Sequence, residues 1–504
     1  MFLNRRQFVK TSAVTAAGLG FGNLGFLCHV PQVSAAEARL SPEAVRFGPG
    51  IEPLVRLVED TPRERLLEEM ASRIRRGLSY REVLAALLLA GVRNIQPRPV
   101  GFKFHAVLVV NSAHLASVSS PDADRWLPIF WALDYFKSAQ AQDLREGDWT
   151  MAAQDEKKVP TADKSRETFA EAMDNWDEAA ADVAVTGLAR SASPQEIFEI
   201  FCRYGARDFR DIGHKAIYVA NSWRTLQAIG WQHAEPVLRS LAYGLLDRSG
   251  GPNPAEADLE ADRPWRRNQR IAREIRPNWV EGRNDPTATR EMLEVLREAS
   301  AEEASAKAIE LLNRGVGPQS IWDGIFEGAV ELLVRRPGII SLHAITTTNA
   351  LHFAFQQSKK DETRRLLLLQ NAAFLPLFRG DPDKLKAFRL DEMNPPDSGD
   401  STTPTLQEIF ADISQDRMRA AEKVLAWNRE HSNPNEFMDA ARRLVFLKGT
   451  NSHDYKFSSA ALEDYHHVSP AFRGRFLAAT VFNLRGSGEK DNDLVGRTRA
   501  AFEG

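Results

Sequence analysis

The chain has 504 residues, of which 43% are hydrophobic and 26% charged, and its formal net charge at pH 7 is −3. This composition is typical of a globular protein and excludes collagen-like and intrinsically disordered chains. The basic residues, 65 in all, are balanced by 68 acidic ones, so no charge excess indicates nucleic-acid binding. The arginine-rich segment 263–276 is more typical of a solvated helix than of a phosphate-binding patch.

The N-terminal segment 1–36 predicts a cleavable export signal. A charged stretch with Arg5 and Arg6 precedes an apolar run rich in alanine and glycine, and a Val-Ser-Ala sequence precedes Ala36. The paired arginines indicate the twin-arginine machinery and a periplasmic or secreted protein. The apolar run, 11–27, is interrupted by four glycines, and it is too short and broken for a stable membrane anchor. Because this route carries folded proteins, often with cofactors in place, it favours a bound metal.

The rest of the chain predicts an all-α fold. Apolar residues recur at helical spacing in segments such as 194–206 and 362–378, and the sequence shows no sustained alternation that would indicate a sheet. The polar stretches near 139–165, 248–290 and 379–405 contain proline and glycine and predict long loops or linkers.

Four of the predicted helices share a start signal. In chain order, the signals begin at Ser79, Ser193, Gly317 and Asn433. Residues of these types cap a helix by accepting from, or tolerating, its unpaired N–H groups. Proline follows three of them, at the first helical position, where its missing N–H costs nothing. Glutamate stands three residues after three of them, where it can complete a capping box.

The spacing from each signal to the next relevant histidine predicts an internal duplication. The interval from Ser79 to His105 equals that from Gly317 to His343. The intervals from Ser193 to His214 and from Asn433 to His453 are both shorter, and they differ from each other by one position. The first unit therefore matches the third, and the second matches the fourth.

The segments that begin at His105 and His343 also resemble each other. They share His, Ala, Asn, His and Ala at five places in twelve. We therefore predict two helical halves, residues 37–275 and 276–504, packed as one domain about a pseudo-twofold axis.

Such a symmetric arrangement can bring equivalent residues together. We predict that one histidine from each unit binds a shared metal ion: His105, His214, His343 and His453. Imidazole is the commonest protein ligand for iron, zinc, copper or nickel. The alternative is four separate core histidines, each bonded to a backbone carbonyl.

The remaining histidines and the nearby asparagines are expected to play other roles. His114 and His352 follow at nine residues, on the opposite side of a continuous helix, and are expected to serve packing. Asn111 and Asn349, six residues after their histidines, are also expected off the histidine face, whereas Asn221 at seven can line the same cavity. His466 and His467 are expected to be exposed, and His233 and His431 have no counterparts.

Lys456 lies three residues after His453, on the same helical face. An ammonium has no lone pair for a metal, but burial near a cation favours the neutral amine. That amine can add carbon dioxide and become a carbamate, an anionic oxygen ligand. Four imidazoles and one such oxygen suit Fe(II), with Zn or Ni as alternatives. A surface lysine after a structural histidine is the other interpretation.

The chain resembles the questin oxidase-like family. The similar segments are 104–116, 213–222, 342–351 and 452–456. The resemblance implies a helical non-haem iron oxygenase that acts on anthraquinone-type substrates, with iron bound by His105, His214, His343, His453 and a carboxylated Lys456. The sequence departs from the family where paired histidines are expected, because it has Gly213-His214 and Leu342-His343.

These observations favour an exported, metal-dependent oxygenase that uses dioxygen and an aromatic or hydrophobic small molecule. The sequence lacks a Gly-x-Gly-x-x-Gly motif after a strand, which is the pattern that would indicate a flavin or NAD(P) site. Aromatic residues near the histidines can wall an apolar pocket, although at helical spacing they are more often core: Phe102, Phe104, Tyr218, Trp223, Phe353 and Phe355. Two alternatives stay open, a metal-dependent hydrolase on the same site and a non-catalytic scaffold of helical repeats.

Overall fold

The computed structural model describes residues 43–248, 250–395, 403–431 and 433–503. Within these ranges the chain is all-α, with 22 α-helices, short 3-10 turns and no strand beyond two isolated bridges, as the sequence predicts. The predicted export signal, 1–36, lies outside the described residues.

The helices are numbered α1 to α22 in chain order. The helices of the first part are α1 Glu52–Asp60, α2 Arg63–Arg75, α3 Tyr80–Asn94, α4 His105–Val118, α5 Leu127–Glu146, α6 Ala162–Asp174, α7 Glu178–Ser191, α8 Pro194–Gly205, α9 His214–Ile229, α10 Ala234–Leu245 and α11 Arg263–Ile271. Those of the second part are α12 Pro286–Glu298, α13 Ala301–Asn313, α14 Pro318–Arg335, α15 Ile339–Gln357, α16 Asp361–Arg379, α17 Leu406–Ile413, α18 Arg417–Glu430, α19 Asn435–Lys448, α20 Ser452–His467, α21 Pro470–Thr480 and α22 Leu494–Glu503.

Three of the four predicted start signals begin a helix where expected. Ser79 and Ser193 form complete capping boxes with the glutamates three residues on, and Gly317 is the N-cap of α14. The prediction for Asn433 is wrong by one residue, because Pro434 is the N-cap of α19 and no capping box forms there. The Asn433 side chain still accepts a hydrogen bond from the N–H of Asn435 at 3.1 Å.

The predicted linkers are shorter than expected. Helix α5 extends to Glu146 and α6 begins at Ala162, so both ends of the 139–165 stretch are helical. The arginine-rich segment begins with α11, whose exposed arginines match the predicted solvated helix. Among the described residues, none of the helices has the length and apolar character needed to cross a lipid bilayer.

Four helices form a closed ring at the centre of the molecule. Helix α4 contacts α9 and α20, and α15 contacts the same two helices. Helices α4 and α15 are buried on nearly every side, which explains why their sequences are apolar all round rather than striped. The outer helices pack around this ring, and one continuous hydrophobic core links both parts of the chain.

Two pairs of helices in the two parts of the chain have bounds that coincide after a nearly constant offset in residue number. Helices α2, 63–75, and α13, 301–313, are offset at both ends by the interval that separates His105 from His343. Helices α7, 178–191, and α18, 417–430, are offset at both ends by one position more.

A buried ion pair also recurs at the same offset, with its charges exchanged. Arg93 donates to Glu59 through Nε and Nη2, each at 2.8 Å. Arg297 donates to Glu331 through the same two atoms at 2.8 and 2.6 Å. The offset from His105 to His343 places Arg297 opposite Glu59 and Glu331 opposite Arg93, so each position carries the opposite charge in the other part. The duplication itself stays a prediction, because matched bounds and contacts do not establish common descent.

Candidate metal centre

His105 is the first residue of α4 and follows a tight turn. Gly101 has φ +152°, and Phe102 has the unusual φ of +46°. A side chain at Gly101 would approach within 3.3 Å of the His214 ring, so the turn passes directly behind the imidazoles. The turn places the Phe102 carbonyl 2.8 Å from His105 Nδ1, which fixes the ring's orientation.

His214 begins α9 after a similarly strained turn. Asp211 and Ile212 have φ values of +52° and +46°, which is costly for a β-branched residue. Gly213, at φ +78°, lies so close to Thr347 that a Cβ would stand 2.2 Å from its hydroxyl oxygen. Strain here brings the Asp211 carbonyl to 2.6 Å from His214 Nδ1.

The other two histidines occupy the first turns of α15 and α20. His343 Nδ1 lies 2.7 Å from the carbonyl of Ile339, one helical turn earlier. His453 is the second residue of α20, and its backbone N–H donates to the Asn451 side chain at 2.9 Å. All four predicted histidines therefore lie near the N-terminal ends of the four ring helices.

The four imidazoles lie together. Ring centroids are 4.9 Å apart for His105 and His214, 4.3 Å for His214 and His343, 5.1 Å for His343 and His453, and 4.6 Å for His453 and His105. The ligand nitrogens of the first three all lie within 4.8 Å of one another, so three buried histidines can hold one metal ion. His453 adjoins this group and is not part of it.

The hydrogen bonds determine which nitrogen is free. A backbone carbonyl only accepts, so Nδ1 of His105, His214 and His343 must carry the proton, and each Nε2 then has a lone pair. Nε2 of His105 and of His214 lie 2.9 Å apart, and two lone pairs at that distance repel unless a cation or proton lies between them. Nε2 of His343 and of His453 are buried with no partner among the described residues. This donor set fits a metal ion.

Burial keeps these imidazoles neutral. It lowers the pKa of His105, His214 and His343 well below the ordinary value, and any positive charge on Lys456 lowers it further. For His453 the same two causes lower the pKa to about 3. Neutral imidazole is the form that binds metals, so the environment favours metal binding over protonation.

Lys456 points into the same region without any partner. Its side chain is buried, and Nζ makes no hydrogen bond to any described residue. Burial lowers the pKa of this amine well below its usual value, since no carboxylate offsets the loss of water. The interpretation of Lys456 as a surface residue is therefore wrong.

A narrow cavity continues from Lys456 along the axis of the ring. It has a volume of about 10 Å³, and Asn111, Asn221 and Asn349 all line it. The spacing within each helix separates Asn111 and Asn349 from Asn221, yet all three line this one cavity, and the four central histidines do not line it.

An ion pair at this cavity is not predicted from the sequence. Arg224 lines the cavity and donates to Glu463 at 2.8 Å. Glu463 lies seven residues after Lys456, on the same helical face, and that spacing is the signal that could have found it.

The other histidines lie away from the centre. His114 is half-buried and bonds the Tyr80 hydroxyl at 3.0 Å, and buried His352 packs against Trp322, as the packing prediction expects. His466 is exposed as expected. His467 is half-buried instead, with its ring centroid 4.8 Å from that of His352, because α20 continues to its C-terminal end against α15.

Most of the aromatic residues near the motifs belong to the core. Phe104 packs edge-on against Tyr218 with 4.8 Å between centroids, and Trp223 packs against Phe198 at 4.6 Å. Phe355 lies against Trp279 and Trp322. Phe102, 73% exposed, is the exception. The expected apolar pocket walls are thus packing residues apart from Phe102.

No family model matches the chain, and neither a curated protein nor a solved structure is significantly similar to it.

Proposed function

We propose that this chain is a non-haem iron-dependent oxygenase that acts on an aromatic or other hydrophobic small molecule. His105, His214, His343 and His453 bind the iron in this proposal. The observation that carries it is the cluster of neutral imidazoles whose Nε2 lone pairs have no other use. The resemblance to questin oxidase-like proteins supplies the reaction class.

The protein's own residues prepare the site before any metal arrives. The carbonyls of Phe102, Asp211 and Ile339 each accept from an Nδ1, which orients the ring and raises its basicity. The surrounding core shields the imidazoles from water, so their Nε2 lone pairs are not occupied by hydrogen bonds from solvent. Ferrous iron, when bound, supplies the activation of dioxygen that side chains cannot perform.

Lys456 completes the proposed ligand set. As a neutral, unpaired amine beside the imidazoles, it can add carbon dioxide and present a carbamate oxygen. Four neutral nitrogens and one anionic oxygen leave the divalent ion with a single positive charge, which costs less to bury than two.

We further propose that the protein is exported by the twin-arginine route, on the basis of segment 1–36. In the same proposal, duplication of an ancestral gene produced the four histidine helices. The coinciding helix bounds and the exchanged ion pair support that history.

The test is anaerobic purification, metal analysis and dioxygen consumption with a panel of quinones and hydroquinones. We expect ferrous iron to support turnover, His105→Ala to abolish metal retention and Lys456→Ala to weaken it. Turnover that zinc or nickel restores without iron would contradict the proposed oxygenase and favour a metal-dependent hydrolase. Full iron occupancy in both variants would contradict the site.

A further inference from the structure

The cavity beside Lys456 is built from polar residues of all four ring helices. Helix α4 contributes Asn111, α9 contributes Asn221 and Arg224, α15 contributes Asn349, and α20 contributes Lys456 with Ser459. Its volume of about 10 Å³ is close to that needed by one water molecule. A protein core rarely gathers so many polar side chains on one axis, because burying them without partners is costly.

Two buried groups face this space unpaired. Lys456 Nζ and Asn111 Oδ1 have no hydrogen-bond partner among the described residues, although both residues are only 2% exposed. Each such group is costly to bury unless water or a ligand satisfies it. Asn221 is held in place by donation to the Leu108 carbonyl at 2.9 Å, and its Oδ1 accepts from Asn111 at 3.4 Å. The carboxamides of Asn111 and Asn221 are therefore positioned to bind a small polar molecule.

The other side of the cavity leads toward solvent. Arg224 donates to Glu463 at 2.8 Å, and Asn349 donates to the same carboxylate oxygen at 2.7 Å. The Glu463 side chain is 33% exposed, and Asn221, Arg224 and Ser459 are half-buried. The cavity thus lies between the fully buried amine and half-buried residues near the Arg224–Glu463 ion pair.

We infer that this cavity, the carboxamide passage defined by Asn111, Asn221, Asn349 and Lys456, admits carbon dioxide and water to the Lys456 amine. The inference rests on the proposed function, in which Lys456 becomes a carbamate. The amine nitrogen forms one bond to the carbon of carbon dioxide, one C–O π bond breaks to give the anionic carbamate oxygen, and the N–H proton that is lost passes to water.

The test follows entry of a label rather than turnover. Full-length protein is loaded with zinc, which gives no paramagnetic broadening, and transferred to ¹³C-bicarbonate while the carbamate carbon is followed by NMR. We expect Asn221→Leu to slow label entry by about tenfold, with zinc content and final label intensity unchanged. Ser459→Leu, at a half-buried position on the opposite helix, is expected to slow it as well and serves if Asn221→Leu does not fold.

The matched control is Asn371→Leu. Asn371 is a fully buried asparagine of α16 that bonds Thr348, and neither residue lines the passage. The Asn371→Leu protein should take up label at the wild-type rate. Wild-type rates in Asn221→Leu and Ser459→Leu would overturn the passage. A wild-type protein that holds zinc but takes no label would overturn both carbamate and passage, and would leave the histidine site standing.

Discussion

The two histidines of one repeated segment, nine residues apart, meet different surroundings. In α15, His343 has Nδ1 on the Ile339 carbonyl and Nε2 facing other imidazoles, whereas His352 lies among Trp322, Phe326 and the ring of His467. Both are buried. Burial alone therefore does not distinguish the two residues; His343 differs from His352 in its carbonyl-bonded Nδ1 and in an Nε2 that is unpaired among other imidazoles.

The largest expected effect separates these two residues. His343→Ala should lose essentially all bound metal, because it removes one of the three nitrogens that lie within 4.8 Å of one another. His352→Ala should keep the metal and lower the free energy of unfolding by about 3 kcal/mol, the cost of deleting a large buried ring. Metal analysis and denaturant unfolding of both variants check this. Equal metal loss in His343→Ala and His352→Ala would contradict the distinction between a ligand at His343 and a packing residue at His352.

A smaller effect is expected at Lys456. Replacing it with Met keeps the length and apolar stem of the side chain but removes the amine. Metal affinity should fall by about tenfold, or about 1.4 kcal/mol, in a competition titration with a chelator. Lys137, also buried but bonded to the Glu59 carbonyl at 2.6 Å, is the matched control, and Lys137→Met should leave metal affinity unchanged. The same affinity in both variants would argue against a ligand role for Lys456.

The metal-free protein should lose stability as the pH falls. Burial lowers the pKa of the four central imidazoles, so below about pH 6.5 the unfolded chain binds more protons than the folded one. The free energy of unfolding should decrease from about pH 6.5 toward about pH 3, where His453 itself titrates. Urea titrations across this range measure it. His343→Ala should flatten the slope; an unchanged slope would mean that these rings are already protonated when folded.

The smallest effect concerns His114, the counterpart of His352. Tyr80→Phe removes the 3.0 Å hydrogen bond between the tyrosine hydroxyl and His114. We expect a loss of about 1 kcal/mol in unfolding free energy and no change in metal content. Denaturant unfolding with metal analysis tests this. Metal loss in Tyr80→Phe would show that the second histidine of the repeat reaches the centre after all.

Helical spacing and the repeated motif predict the all-α class and the set of histidines that converge, because both depend on local pattern and on register between copies. The common cavity of Asn111, Asn221 and Asn349 is not predicted, because it depends on how four helices pack together rather than on the spacing within each helix. The prediction for His467 is wrong for a similar reason, as its burial comes from α15 rather than from its own polar segment.

The strained turns before α4 and α9 cannot be predicted from residue types. Phe102 and Ile212 have positive φ values although neither residue favours them, and only packing such as that of Gly213 against Thr347 maintains them. Their carbonyl neighbours orient the imidazoles, so part of the site's geometry depends on contacts between distant segments.

The most direct test is diffraction from anaerobically grown crystals of the iron-loaded protein, at wavelengths on either side of the iron absorption edge. A single anomalous peak within bonding distance of Nε2 of His105, His214, His343 and His453 is the predicted result. No peak at that point, or a peak bound elsewhere with these nitrogens unliganded, would contradict the shared metal site.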